Sequence, residues 1–308
     1  MTWKRFRRLL SDRLKRGADA AAGRAAALVL AVIHRFDRVA ISNMGGALMR
    51  FAGPLLREHR IGRDNLRAAF PEKTDAEIET ILRGVWDNLG RVAAEFAHLD
   101  EFYAAYTQSG PQIIGLSPET SERAARIRKN GKAVIGFAAH LANWEVSALA
   151  VKALGFDSAV LYRRPNISAV SDVIVKLRAP LMGQLIPTGL DAPVKMARLL
   201  ETGTNVGMLV DQHFSKGVDV IFFGRWCKAN PLIAMIARQT ECPIHGLRAV
   251  RLPDGNSFWG EITDEIPPAR DADGRIDVKG TMQAITSVIE GWVREHPEQW
   301  LWLHRRWR

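Results

Sequence analysis

Apolar and polar positions follow two patterns along the chain, and after about residue 125 short apolar runs alternate with longer stretches of helical spacing. The run from Ala133 to Ala139 predicts a buried strand, and the periodic stretch from Asn143 to Leu154 predicts the helix that follows it. The same alternation predicts strands at 159–162, 185–186, 206–210 and 220–223, and helices at 168–182, 192–201, 230–240 and 281–294. Two more segments, 245–252 and 258–266, alternate like strands around the turn Pro253-Asp-Gly255. This order predicts an α/β fold with a mostly parallel central sheet flanked by helices.

The pattern before residue 125 is helical throughout. Thr74-Asp-Ala-Glu77 has the spacing of a capping box and begins a predicted helix that runs to about His98. We therefore predict a membrane-associated helical segment at 1–60 and a second domain at 61–308. Within that domain, 61–125 is expected to be a helical prelude and 126–308 the α/β core.

The start of the chain has the pattern of a basic amphipathic helix. Trp3, Phe6, Leu10 and Leu14 recur at helical spacing among seven lysines and arginines, which favours binding to an anionic membrane surface. A solvated basic tail or a nucleic-acid-binding arm is the alternative. The apolar run at 25–33 is shorter than the ~20 residues that a transmembrane helix needs. The segment is therefore expected to lie on the cytoplasmic side of the membrane.

Composition narrows the partners without choosing among them. The 308 residues carry a net charge of +10, which favours nucleic acid, an acidic protein or an anionic membrane as partner. The two cysteines, Cys227 and Cys242, have neither a metal-binding spacing nor the number for a disulfide framework. No metal and no organic cofactor is therefore implied.

Titratable side chains follow three of the predicted strands directly. His140 follows the first strand, Arg163 and Arg164 follow the second, and Asp211 follows the strand at 206–210. In open α/β sheets, ligands bind outside the carboxyl ends of the strands. We therefore expect these four side chains to line one edge of the sheet.

His140 is the candidate general base, because imidazole titrates near neutral pH. Glu145, five residues on in the first turn of the predicted helix, is the candidate acid that orients it. A histidine that ends a strand is often only structural, so this spacing alone is a weak signal. The chain has no G-x-S-x-G motif, and no serine or cysteine is adjacent to His140, which disfavours a serine hydrolase. The base is expected to activate a hydroxyl of the substrate, without a covalent enzyme intermediate.

Seven motifs, taken together, resemble those of the lipid A biosynthesis acyltransferases, the lauroyl/myristoyl-type transferases with an HX4E motif. They occur in the order of that family across about residues 60 to 308: Asn65-Leu-x3-Phe-Pro71, Trp86-x-Asn-x-Gly90 with Glu95, Gly136-Phe-Ala-Ala-His-Leu-Ala-Asn-Trp-Glu145, Tyr162-Arg-Arg-Pro-Asn166, Gly207-Met-Leu-Val-Asp-Gln212, Val220-Ile-Phe-Phe-Gly224 and Leu303-His-Arg-Arg-Trp307.

The resemblance implies a glycerolipid acyltransferase-like fold and transfer of an acyl chain from acyl carrier protein. The acceptor would be a hydroxyl of a primary acyl chain on a lipid A precursor, at the cytoplasmic face of the inner membrane. His140 would deprotonate that hydroxyl, and Glu145 would orient His140. The oxyanion donors would be backbone N–H groups at the start of the Asn143 helix, or Arg163 or Arg164, one of which we expect to bind a phosphate.

Asp211 and Asn166 complete the predicted substrate-binding residues, with Arg163, Arg164 and Asn143. Asp211 either positions a substrate hydroxyl or pairs with an arginine, and a structural strand-end carboxylate is an equal alternative. Related glycerol-phosphate acyltransferases carry Pro-Glu-Gly in the third motif, where this chain has Asp211-Gln-His213. That difference disfavours glycerol 3-phosphate as acceptor.

Two other functions remain as alternatives. Within the same fold, the acceptor would be another glycolipid such as a mannosylated phosphatidylinositol, which the C-terminal His-Arg-Arg-Trp motif disfavours. In a different class, the chain would be a non-enzymatic protein that binds anionic membranes. Nucleic-acid binding is not expected, because the α/β half shows no reading helix and no basic, aromatic strand face. Trp300, Trp302 and Trp307 among C-terminal arginines suit a bilayer interface, or else pack into the core.

Overall fold

The computed structural model describes residues 3–107, 113–165 and 167–307. Five helices precede the first strand: α1 Trp3–Ile33, α2 Arg38–Ala52, α3 Arg57–Ala69, α4 Asp75–Glu95 and α5 Leu99–Thr107. The later helices are α6 Pro118–Asn130, α7 Trp144–Ala153, α8 Ser168–Met182, α9 Ala192–Glu201, α10 Leu232–Thr240 and α11 Val278–Glu295. The strands are β1 Ile114–Leu116, β2 Ile135–Ala138, β3 Ser158–Tyr162, β4 Gln184–Pro187, β5 Asn205–Leu209, β6 Val218–Phe222, β7 Arg225–Ala229, β8 Ile244–Arg251 and β9 Phe258–Ile262.

Seven strands form one sheet in the order β1-β9-β8-β2-β5-β3-β4. The five strands from β8 to β4 are parallel, whereas β9 pairs antiparallel with β8 and parallel with β1. The predicted mixed α/β fold with a mostly parallel sheet flanked by helices is confirmed. Because β2 and β5 are central neighbours, the segments that follow them meet at one edge of the sheet.

The capping box predicted at the start of α4 is present. Thr74 accepts from the backbone N–H of Glu77, and the Glu77 carboxylate accepts from the backbone N–H of Thr74. Helix α4 crosses α2 at two glycines, since a Cβ on Gly90 would lie 2.2 Å from the backbone oxygen of Gly45. This close crossing brings α2 against α4, and both helices against the sheet edge described below.

Two strands depart from the predicted pattern. Strand β1 lies within 61–125, where only helices are predicted. The segment near 220–223 does form a strand, β6, but it pairs antiparallel with β7 in a separate two-stranded sheet. Phe223 and Gly224 both have positive φ, at 52° and 67°, which is the geometry of a tight hairpin turn.

The C-terminal tryptophans belong mostly to the core. Trp300 and Trp302 are fully buried, and their rings meet edge to face with centroids 4.7 Å apart. The bilayer-interface prediction is therefore wrong for these two residues. They pack with Phe222 and Phe223 of the β6–β7 hairpin, so these two tryptophans join the C-terminal segment to that hairpin.

The N-terminal helices expose several large apolar side chains. Helix α1 is continuous and packs against α8, since a Cβ on Gly23 would lie 2.5 Å from the Ala169 Cβ. The large apolar side chains that are exposed among the described residues of this region are Leu14, Leu28, Val29, Val32, Phe36, Met44, Leu48, Phe51, Leu55 and Leu56. The side chains of Trp3, Phe6 and Leu10 lie outside the described part of the structure. Among the described residues, no helix is long and apolar enough to span a membrane.

Candidate active site

The carboxyl ends of β2 and β5 bring His140 and Asp211 together. The two strands are parallel neighbours with Ala138 opposite Leu209, so the residues that follow leave the sheet side by side. Asp211 Oδ1 lies 2.8 Å from His140 Nδ1, and Asp211 Oδ2 accepts from the His140 backbone N–H at 2.9 Å. Trp300 Nε1 also donates to Asp211 Oδ2, at 2.7 Å. The carboxylate thereby fixes both the backbone and the ring of His140.

The charge of Asp211 determines which ring nitrogen of His140 is free. Burial raises the pKa of the Asp211 carboxyl, but its interactions with His140 outweigh burial, so the pKa lies well below its usual range. An ionised carboxylate accepts only, so His140 Nδ1 carries a hydrogen, and in the neutral form of the ring Nε2 has the lone pair. The Gln212 side-chain nitrogen lies 3.3 Å from His140 Nε2, and the His140 side chain is 15% exposed. This is the arrangement of a general base held by a buried acid.

Glu145 has a different partner from the one predicted. Its carboxylate accepts from Arg178 through two N–H groups, one at 2.8 Å, and from Trp144 Nε1 at 3.1 Å. The acid on the His140 ring is Asp211 instead, because β5 lies beside β2 whereas Glu145 has already turned into α7. The predicted pairing of His140 with Glu145 is therefore corrected to a pairing with Asp211.

An apolar cavity of about 380 Å³ runs from this edge beneath α7 and along the sheet. Its mouth is lined by His140, Arg163, Arg178 and Gln212. Its wall comes from the strands on one side and from α7 and α8 on the other. The far end lies at the amino ends of the strands and is lined by Ile127, Val134, Phe156, His245 and Ile262. We call this mainly apolar cavity the channel; the arginines among its lining residues lie at the mouth, and His245 is the titratable side chain at the far end.

Gly207 makes room for the channel in the middle of the sheet, whereas a Cβ on its neighbour Gly136 would lie 2.8 Å from Leu247 Cδ1. Gly136 of β2 pairs with Gly207 of β5, and larger side chains flank them in register, with Val160 on one side and His245 on the other. The nearest atom to a Cβ built on Gly207 would be the Gly136 backbone oxygen, 3.9 Å away among the described residues. The space that a side chain would occupy there belongs to the channel.

Of the remaining predicted site residues, the arginines lie at or beside the mouth of the channel and Asn143 has a structural contact. Arg163 lines the mouth, and Arg164 is exposed beside it. Asn143 is buried, and its side-chain oxygen accepts from the Glu145 backbone N–H at 3.2 Å, which caps α7. Asn166 lies outside the described residues.

The model of the bacterial lipid A biosynthesis acyltransferase family matches residues 20–308. The chain belongs to this family. It is therefore an acyltransferase, and membership implies a lipid A-type acceptor. No match to this chain was found among curated proteins. The predicted membership in the lipid A biosynthesis acyltransferase family is thus confirmed at the level of the family.

The C-terminal segment of the acyltransferase closes the site from one side. Leu141 and Trp300 form an isolated antiparallel bridge, and the Leu301 backbone N–H donates to the His140 carbonyl at 3.1 Å. His304 stacks edge to face on Trp300, with ring centroids 5.3 Å apart. Burial lowers the pKa of His304, although Asp211 opposes that effect. The net shift of this pKa is downward, which favours the neutral form of His304.

Sequence reasoning missed three residues of this site. Trp300 lies 89 positions from Asp211 and carried a signal only as part of a tryptophan-rich terminus. Arg178 lies within α8 and has no sequence signal of its own, because its role depends on how α8 packs over α7. Gln212 was part of a quoted motif, and its contact with His140 gives it a place in the site.

Among the described residues, one group can offer three metal ligands, namely His34, His98 and Glu101, with ligand atoms within 4.8 Å of one another. It lies where α1 and α5 meet, not at the sheet edge. His98 Nδ1 already contacts the Glu101 carboxylate at 2.6 Å, and Arg38 lies 3.7 Å from the same carboxylate. These contacts show that the three side chains join neighbouring helical segments to one another.

Proposed function

We propose that this acyltransferase transfers a fatty acyl chain from acyl carrier protein to a hydroxyl of a primary acyl chain on a lipid A precursor. One observation carries the proposal: the His140–Asp211 pair lies at the mouth of an apolar channel of about 380 Å³. A hydrocarbon chain is the ligand that such a channel fits, and a general base at its mouth suits reaction at the carbonyl end of that chain.

The proposed reaction is a direct transfer. With the chain in the channel, the thioester carbonyl lies at the mouth, and His140 Nε2 accepts the proton of the acceptor hydroxyl. The hydroxyl oxygen forms a bond to the carbonyl carbon, the carbon–sulfur bond breaks, and the imidazolium gives its proton to the leaving carrier thiolate. Asp211 stabilises the imidazolium between these two steps. No enzyme nucleophile takes part.

The guanidinium groups at the mouth supply positive charge where negative charge develops. Arg178 is fixed by two N–H bonds to Glu145, so its side chain is preorganised at the mouth. We propose that Arg178 faces the developing oxyanion and that Arg163, which is exposed, binds a phosphate of the donor or acceptor. In this scheme Glu145 acts through Arg178, and Asn143 acts by capping α7.

The exposed apolar side chains of α1 and α2, with the basic residues of α1, suit an anionic membrane surface. We propose that these helices hold the enzyme at the cytoplasmic face of the inner membrane, where a lipid acceptor is available. The charged mouth, with Arg163 and Arg164 exposed beside it, suits docking of an acidic carrier protein.

The test is acyl transfer by purified enzyme, with acyl carrier protein as donor and a tetra-acylated lipid A precursor as acceptor. His140→Ala is expected to lower kcat by roughly a hundredfold to ten-thousandfold in a variant whose circular dichroism spectrum shows that it is folded. Retention of near wild-type turnover would show that His140 is not the base. A parallel reaction with a mannosylated phosphatidylinositol tests the alternative acceptor. Binding to anionic vesicles without transfer to either lipid would favour the non-enzymatic alternative.

A further inference from the structure

The turn that carries His140 contains a residue in a conformation that alanine rarely adopts. Ala142 has a φ of +46°, in the left-handed region, and is fully buried. For an L-residue other than glycine this region is unfavourable, because Cβ comes too close to the following carbonyl oxygen. The conformation lets the chain reverse between β2 and α7 within five residues, so that His140 faces Asp211 while α7 runs over the channel.

Groups outside the turn hold both polar atoms of Ala142. Its backbone N–H donates to the Gln299 carbonyl at 2.9 Å. Its carbonyl accepts from the side-chain Nδ2 of Asn88 at 3.0 Å, and Asn88 also donates to the Gln299 carbonyl at 3.2 Å. Asn88 is thus the side chain that joins the left-handed turn to the helical part of the protein.

Asn88 is itself fixed by a buried ion pair. Its side-chain oxygen accepts from Arg251 Nε at 3.0 Å, and the same guanidinium donates to Glu95 through both terminal nitrogens. Burial raises the pKa of the Glu95 carboxyl, but Arg251 outweighs burial and the net shift is downward. Glu95 also accepts from Ser42 at 2.7 Å and from Asn143 at 2.9 Å. The network therefore ties α2, α4 and β8 to the same turn.

We infer that Asn88 is a positioning residue: by donating to Ala142 it holds the left-handed turn that places His140 and the start of α7. The inference rests on the proposed role of His140. It gives the motif Trp86-x-Asn-x-Gly90 with Glu95 a function in the reaction, although none of these side chains lines the channel mouth. The helices before the sheet then serve the chemistry as well as any membrane contact.

A double-mutant cycle tests this role, because glycine adopts a positive φ without help from Asn88. Asn88→Ala is expected to lower kcat by about tenfold to a hundredfold, since small displacements of a catalytic group have effects of that size. The KM for the acyl donor is expected to change less than kcat, because the strands that line the channel do not depend on the turn. In an Ala142→Gly background the same substitution is expected to lower kcat by no more than about threefold.

Asn65→Ala is the matched control. Asn65 is also buried and also donates through Nδ2 to two backbone carbonyls, those of Trp302 and His304. Any loss it causes is expected to be the same with and without Ala142→Gly. If Asn88→Ala is poorly folded, the cycle is run with Asn88→Leu, which fills the space of the amide.

An equal loss from the Asn88 substitution in both backgrounds, or wild-type kcat in Asn88→Ala, would overturn the inference. Proton NMR of the His140 Nδ1–H separates this outcome from failure of the proposed function. That resonance is expected to be lost or shifted in Asn88→Ala and restored with Ala142→Gly, whether or not acyl transfer is observed. An unchanged resonance in Asn88→Ala would also overturn the inference.

Discussion

Substitution of Gly207 is expected to shorten the acyl chain that the enzyme transfers. A Cβ at this position would have its nearest described neighbour 3.9 Å away, so a larger side chain enters the channel without displacing the sheet. Strands rise about 3.3 Å per residue, so Gly207 lies about 7 Å from Leu209 at the mouth and about 7 Å from Asn205 at the far end. A side chain at Gly207 therefore takes up space about halfway along the channel, in proportion to its size.

The size of the effect follows from the number of methylenes displaced. Each buried methylene contributes about 0.8 kcal/mol, which is about a fourfold change in kcat/KM. Gly207→Ala adds one carbon and is expected to lower kcat/KM by about fourfold for the longest accepted chain. Gly207→Leu adds four carbons, which corresponds to about 3 kcal/mol and to roughly a hundredfold or more for that chain. Short chains that end before Gly207 are expected to retain most of their activity.

The assay is competition among carrier-bound acyl chains that differ by two methylenes, with the products measured by mass spectrometry. Gly291→Leu is the matched control, because Gly291 on α11 has open space around a Cβ among the described residues and lies outside the channel. That variant is expected to keep the wild-type product distribution. If Gly207→Leu lowers the rate equally for all chain lengths, the channel does not hold the acyl chain.

Three further predictions follow from the contacts of the site and of the N-terminal helices. Asp211→Asn is expected to lower kcat by roughly a hundredfold or more, and a near wild-type kcat would reduce Asp211 to a structural carboxylate. The folded protein lowers the pKa of Asp211 from its ordinary value of 3.8, so the ionised carboxylate stabilises the fold above pH 3.8 and this stabilisation is lost as the pH falls below it. The Tm difference between the wild type and Asp211→Asn is therefore expected to be largest near neutral pH and to shrink in acid. A Tm difference that grows in acid would contradict this reasoning. Arg178→Gln is expected to lower kcat by about tenfold or more. Arg275→Gln, at an exposed arginine, is the control and is expected to keep the wild-type kcat. Equal kinetics in the two variants would show that Arg178 has no role in the reaction. The double substitution Leu48→Asp and Phe51→Asp on α2 is expected to weaken binding to anionic vesicles by at least about tenfold in a sedimentation assay. Met235→Asp on α10 is the control and is expected to leave vesicle binding unchanged. Equal effects of the two variants would show that α2 does not contact the membrane.

The fold was predictable where the signal is local. The predicted helices at 168–182 and 192–201 coincide with α8 and α9, because apolar spacing within each segment sets its ends. Strand β7 and the separate β6–β7 sheet were not predictable, because the pairing of a hairpin outside the main sheet leaves no distinct periodicity. Strand β1 has three residues and lies after a helical region, so tertiary pairing with β9 determines it.

The location of the candidate site could be predicted from the sequence, but the contacts between its side chains could not. The rule that ligands bind at the carboxyl ends of strands put His140, Arg163 and Asp211 at one edge, where the structure has them. The partner of His140 depends on strand order, which brings together residues 71 positions apart. Closeness in sequence favoured Glu145 as the carboxylate that contacts His140, whereas the strand order of the sheet places Asp211 there. Arg178 depends on the packing of α8 over α7, which no single stretch of sequence encodes.

The two carboxylates of the site hold two different groups, and this division bears on mechanism. Asp211 fixes the imidazole that moves a proton, and Glu145 fixes the Arg178 guanidinium, which cannot give up its proton. A glutamate bonded to the histidine would leave Arg178 mobile at the mouth and leave the developing oxyanion without a preorganised cation. In the reaction that we propose, the His-x4-Glu motif contributes at two points: its histidine acts on the acceptor hydroxyl, and its glutamate acts, through Arg178, on the carbonyl oxygen. Loss of Glu145 should therefore resemble loss of Arg178 in its kinetics, and not loss of Asp211.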